Sequence, residues 1–327
     1  MNFSLFVRNY RSVFIQSRIS PISRSAILLT LGLGAIGVIT SIATKFAITA
    51  LPNMFLLVVA VVVVDILSQL APQTRIVEAV RIVIFGILYL VTTILCGVIA
   101  AYSMQRFAFP LQDQHLTSAD MALGLNWSDY AHWVDRHPVI QSILHSAYDT
   151  TMGQTVLPLV VFAFSNRLSE VRAYLLAFAI AFTITIVVSA LMPAAGPIAF
   201  VDRATFNLLQ FTGATPLDHL TLLREAGPLV LNDVPGGIAT FPSFHATIAV
   251  LTPLTLRSYP RLFAALLILD AAMLAGSVSE GAHYFSDILA GSCVAVFAYV
   301  LARRIIRIED RSVHRTSARC SPVLSYE

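Results

Sequence analysis

A chain of 327 residues that is 57% hydrophobic and only 12% charged is not a water-soluble domain, where about 25% of residues are charged. The net charge of +3 combines twenty arginines with a single lysine, Lys45. There is no basic cluster with interleaved aromatics, which argues against nucleic acid as a partner. Three cysteines, Cys96, Cys293 and Cys320, show neither metal spacing nor a disulfide framework.

A membrane-crossing helix needs about 20 apolar residues. In chain order such spans are read at 26–44, 53–71, 80–103, 144–166, 171–192, 243–257, 261–279 and 283–303. The fourth has a polar first half, with Tyr148, Asp149, Thr150, Thr151 and Gln154. The sixth is short and carries Pro253. Both irregularities are tolerable where these ends face protein or water rather than lipid. The spans follow one another closely, so the reading is one all-α polytopic membrane helix bundle of about eight crossings. Residues 1–25 are a cytoplasmic N-terminal segment, 26–303 a single transmembrane domain and 304–327 a basic cytoplasmic tail.

Arginines orient the bundle by the positive-inside rule. Arg8, Arg11, Arg18 and Arg24 precede the first span. Arg75 and Arg81, Arg167 and Arg172, and Arg257 and Arg261 fill alternate connections, and Arg303, Arg304 and Arg307 follow the last span. With eight crossings all of these share one side, which puts both termini in the cytoplasm. Ala47–Ala50 is a candidate leader-cleavage site; processing there would leave the remaining orientation unchanged.

The opposite side, external, periplasmic or lumenal, holds segments 104–143 and 193–242 and the turn near 280–283. It carries seven of the eight histidines, all but His314. Segment 104–143 is amphipathic and is read as short outer-surface helices. Trp127, Tyr130 and Trp133 are read as headgroup anchors, and His115, His132, His137 and His219 as ordinary interfacial histidines.

Two stretches on that side carry chemistry. "FPSFHA" sets Ser243 and His245 at the start of the sixth span, and "GSVSEGAHYFSD" sets His283 and Asp287 at the start of the eighth. A His and an Asp four apart share a helix face. The Asp holds one ring nitrogen and leaves the other as base or nucleophile. Taken alone, each stretch also reads as a capped helix start or a structural ion pair. Together they place two histidines at two helix N-termini on one face, and such ends attract anions.

The pairing of "PSFHA" with "GAHYFSD" about 40 residues later resembles the second and third signature motifs of the type-2 phosphatidic acid phosphatases and vanadium haloperoxidases. The resemblance implies a six-helix phosphatase-like core over about 140–303, with the first spans as additions. It implies that His283 forms a phosphohistidine, that Asp287 orients it, that His245 protonates the leaving group and that Ser243 hydrogen-bonds the phosphoryl oxygens. It implies no cofactor and no metal. The substrate it implies is a membrane lipid carrying a phosphate-linked headgroup, entering sideways from the outer leaflet.

Three departures from the family pattern stand out. The first motif, which needs a lysine, is absent: seven residues after Lys45 stands Pro52. The arginine of the third motif falls at Ser277, and Phe244 replaces a glycine. Phe244 is read as shaping the pocket, and Arg106, Arg136, Arg203 and Arg224 as candidates to replace the lost cations. These departures are similar to the branch containing inositol phosphorylceramide synthases, whose phosphodiester carries a single negative charge. Asp65 and Asp270 lie within spans, where an ionisable group is either functional or a tie between helices. They support a different reading, a transporter. A third reading is a lipid-binding member of the family that has lost its catalysis. The sequence does not fix an oligomeric state.

Overall fold

The computed structural model describes residues 20–48, 74–202, 206, 216–225, 227–231 and 238–319. Within these the helices are α1 (Arg24–Thr44), α2 (Arg75–Gln105), α3 (Asp113–Ala122), α4 (Trp127–Asp135), α5 (Pro138–Asp149), α6 (Thr151–Phe164), α7 (Leu168–Leu191), α8 (Pro216–Arg224), α9 (Phe244–Leu256), α10 (Pro260–Ser279) and α11 (Phe285–Arg319). The expected all-α bundle is the observed one. Among the described residues five helices are long and apolar enough to cross a membrane: α1, α2, α7, α10 and α11 over Phe285–Arg311. The chain is an integral membrane protein. The expected span 53–71, with Asp65, lies outside the described residues.

α7 is the hub of the bundle. It is apolar on all faces and mostly buried, as a helix surrounded by protein must be. It packs against α1, α2, α6, α9 and α11. α1 lies at the periphery and exposes Leu28, Leu31, Ile39 and Ile42. Its contact with α2 uses small residues. A Cβ on Gly37 would lie 3.1 Å from the Ala100 nitrogen, and close backbone approach of this kind drives helix association in membranes. Buried hydroxyls add to it: Thr30 donates to Tyr89, and Tyr89 donates to the Ala26 carbonyl.

The fourth expected span is divided. Tyr148 and Asp149 belong to α5, which ends there, and Thr151 and Gln154 begin the otherwise apolar α6, with Thr150 between the two helices. Pro158 inside α6 leaves the Gln154 carbonyl without its helical donor, and the Thr252 hydroxyl of α9 donates to that carbonyl. α6 and α9 have 14 and 13 residues. At 1.5 Å per residue each spans roughly 20 Å, short of a hydrocarbon core of about 30 Å.

Helices α3, α4 and α5 form an outer layer on α10 and α11. Asn126 starts α4 by accepting from the Ser128 and Asp129 nitrogens, and Pro138 starts α5 at the position where proline suits a helix. Trp127 is buried and its indole donates to the Val278 carbonyl, while the Tyr130 hydroxyl donates to the Ala275 carbonyl. Trp127 therefore ties α4 to the last turn of α10 rather than anchoring in headgroups, a correction to the sequence reading. Trp133 is exposed. The structure also adds two three-residue strands, β1 (Phe46–Ile48) and β2 (Leu229–Leu231), paired in parallel.

Candidate active site

The two sequence motifs meet where α9 and α11 begin. Ser243 is the N-cap of α9; its hydroxyl accepts from the Ala246 nitrogen at 3.3 Å, the usual way of satisfying an orphan helix donor. The Ser243 N–H donates to the Asp287 carbonyl at 3.1 Å. Thr247 donates to the carbonyls of both Ser243 and Gly291 at 3.0 Å. A Cβ on Gly291 would stand 2.2 Å from the Ser243 carbonyl oxygen, so glycine there is what lets the two helix starts touch. Phe244 faces the other way, edge-on to Phe178 and Phe182 of α7. It anchors α9 to the core, which corrects its reading as a pocket-shaping residue.

His283 stands in the turn between α10 and α11, outside both helices. Its N–H donates to the Ser277 carbonyl at 3.3 Å. Its Nδ1 lies 3.2 Å from Asp287 Oδ2. A carboxylate only accepts, so an ionised Asp287 takes its hydrogen bond from Nδ1–H. The same Oδ2 accepts from the Tyr284 nitrogen at 3.0 Å. Burial pushes His283 down to about 4, against a backbone hydrogen bond at Thr240 that raises it; the ring is neutral near pH 7, the form a nucleophile requires.

Two further carboxylates hold this turn. Asp120 of α3 accepts from the Phe285 and Ser286 nitrogens, both at 2.8 Å. Asp113 accepts from the Ala195 and Gly196 nitrogens and from the Tyr284 hydroxyl. The N-terminus of α11 does attract an anion, but that anion is the protein's own Asp120. This corrects the expectation that both helix ends face a bound phosphate.

The His245 and His283 rings are 6.2 Å apart, centroid to centroid. Tyr148 of α5 stacks on His245 at 4.1 Å, with its hydroxyl 3.3 Å from His245 Nδ1. Beside it, His145 Nδ1 lies 3.2 Å from Glu280 and its Nε2 3.4 Å from Asp149. Glu280 is buried; burial raises its carboxyl and the His145 partner lowers it.

His245, His283, Asp287 and Ser243 thus come together. The candidate arginines do not. Arg106 gives its guanidinium to the carbonyls of Thr44, Leu223 and Gly227. Arg224 donates to the Phe109 carbonyl, Arg136 is exposed, and Arg203 lies outside the described residues. Among the described residues no arginine hydrogen-bonds to either histidine. Ser277, at the family's arginine position, is fully enclosed and its hydroxyl donates to the Met273 carbonyl. Asp270 is buried within α10 near Gln154, apart from the histidine cluster. Tyr148, His145, Glu280, Asp113 and Asp120 are neighbours that the motifs did not name. The one local signal was the polarity of 148–154 inside an apolar span.

A cavity of about 590 Å³ opens behind Tyr284, with Leu111, Met121, Trp127 and Phe200 in its wall. Among the described residues no three His, Cys, Asp or Glu side chains are grouped to hold a metal ion. A family model described as the PAP2 superfamily matches residues 114–301, from α3 into α11. No curated protein and no solved structure matches the chain.

Proposed function

The chain belongs to the PAP2 superfamily, whose members are in general phosphoesterases of lipid-type substrates, and from that premise we propose that it cleaves or transfers phosphate-linked lipid headgroups through a phosphohistidine. The observation that carries the reading is the facing pair: His283 tied to Asp287 and set 6.2 Å from His245, at the starts of two touching helices.

His283 Nε2 attacks phosphorus. The bond to the leaving oxygen breaks, and His245 gives that oxygen its proton. Asp287 accepts Nδ1–H and balances the positive charge that develops on the His283 ring. In the second step His245 takes a proton from water or from an alcohol, whose oxygen attacks phosphorus and releases His283. The acceptor decides between hydrolysis and headgroup transfer.

A phosphodiester, with one negative charge, suits a site whose close neighbours are Asp287, Glu280 and Asp149 rather than arginine. A dianionic monoester would need cations to replace its water. By the positive-inside rule, the arginine-rich connections support a reading with the termini in the cytoplasm and the histidines on the outer side.

The test is turnover by the purified chain of phosphatidic acid, a polyprenyl diphosphate, and a phospholipid supplied with an alcohol. Labelled phosphate should be trapped on His283 after an acid-free quench. Turnover unchanged in His283→Ala would end this reading.

A further inference from the structure

Neither motif contains Tyr148, yet its ring lies closer to His245 than the His283 ring does, at 4.1 Å against 6.2 Å. The planes are 23° apart, a stack that fixes ring orientation. The hydroxyl reaches His245 Nδ1 at 3.3 Å.

Three features of the fold hold Tyr148 in place. α5 crosses α10 at Gly276, where a Cβ would stand 2.6 Å from the Leu144 carbonyl oxygen. His145, the third residue before Tyr148 in α5, binds the buried Glu280 at the end of α10. Gly281 leaves the space: a Cβ there would lie 3.1 Å from Tyr148 Cε2 and 2.8 Å from His283 Cδ2. One glycine thus admits the tyrosine and the second histidine together.

Resting on the reading of His245 as the proton donor, we propose that Tyr148 is a positioning residue whose hydroxyl oxygen accepts Nδ1–H of His245, leaving Nε2 to give and take the reacting proton. The assignment holds in both half-reactions. The charged ring has protons on both nitrogens and gives up the one on Nε2. The neutral ring keeps the one on Nδ1 and uses the Nε2 lone pair to take a proton from the acceptor. Tyr148 stays a neutral hydroxyl throughout. His283 is tied through Nδ1 to Asp287, so both rings present the same nitrogen to the phosphorus.

The leaving group exposes this role. An alkyl alkoxide needs a proton to depart, and a 4-nitrophenolate hardly does. The full chain in detergent is assayed on two phosphodiesters that differ only in that group. Tyr148→Phe keeps the stack and loses the oxygen. Its single-turnover rate of leaving-group release should fall about tenfold on the alkyl ester and less than about twofold on the nitrophenyl ester, while breakdown of the phosphohistidine that the two esters share slows equally for both. Tyr148→Leu also loses the stack and should fall further on the alkyl ester alone. In a His245→Ala background, Tyr148→Phe should cost less than about twofold more, because two residues acting as one unit are not additive.

Equal losses in the single-turnover rate on the two esters, losses additive with His245→Ala, or a wild-type single-turnover rate on the alkyl ester in Tyr148→Phe would overturn the proposal and leave the phosphohistidine reading standing. Wild-type turnover of the nitrophenyl ester by His283→Ala would overturn both.

Discussion

The two ends of α11 neutralise carboxylates in opposite ways. Toward its C-terminal half, Glu309 and Asp310 pair with Arg172 of α7, Glu170 pairs with Arg303, and Ser25 of α1 donates to Glu309. At its start, Asp120, Asp113 and Asp287 are met by backbone N–H groups, the Tyr284 hydroxyl and His283. The first end is a clamp made of fixed ion pairs. Among the described residues the second has no arginine ion-paired to its acids, so its buried charges define a loop geometry instead of cancelling one another. A guanidinium at that end would pair with Asp287 and compete with His283 for it. Neutral donors satisfy the carboxylates and leave the imidazole as Asp287's own partner.

That contrast can be broken at either end. The largest effect belongs to His283→Ala, expected to lower turnover at least about 10³-fold, measured as release of headgroup by the purified chain. Asp287→Asn comes next, at roughly 10²-fold or more in kcat, because the amide no longer fixes the ring tautomer. Its folding, followed by thermal unfolding in detergent, should change far less than its rate. Arg172→Ala inverts the pattern. It leaves Glu309 and Asp310 without their partner and should cost roughly 1–3 kcal/mol of stability, between the values for exposed and buried pairs, with turnover within about twofold of wild type. Asp120→Ala should cost about 1–2 kcal/mol by orphaning two helix N–H groups and should also slow turnover, since the loop it holds carries His283. A loss of activity from Arg172→Ala equal to that from Asp120→Ala would erase the distinction between the two ends.

The smallest effect is a pH response. His283 is held down to about 4 by burial, below the ordinary imidazole value of about 6.5. At pH 5.5 it is still neutral, so the limb of kcat/KM that reports the nucleophile should fall less than about twofold, where an ordinary imidazole would lose about tenfold. The fold responds in the same window. As pH drops from about 6.5 toward 4 the unfolded chain takes up the proton first, and stability is lost. A rate profile with its acid limb at pH 6.5 would show that His283 is wet and exposed.

The candidate pair was legible in sequence because its residues are local. Ser243 and His245 open one helix, and His283 and Asp287 are four residues apart at the start of another. Its neighbours were not legible. Tyr148 reaches His245 across 97 positions and Asp120 reaches Phe285 across 165. An isolated Tyr or Asp in an amphipathic helix carries no mark of the partner it will meet. Phe244 misled for the same reason: its place in the motif pointed to the pocket, while Phe178 and Phe182 of a distant helix took it into the core.

Hydropathy and arginine placement determined that this chain lies in a membrane as a helix bundle, because the cost of unpaired backbone and buried charge in hydrocarbon leaves few alternatives. The histidine motifs pointed to two helix starts as the candidate site. Tertiary structure alone decided that the two starts touch through Gly291, that Asp120 occupies the N-terminus of α11, and that arginines pair with acids at the far end. Those outcomes depend on close approach between segments far apart in the chain, where a missing Cβ or one carboxylate selects the geometry.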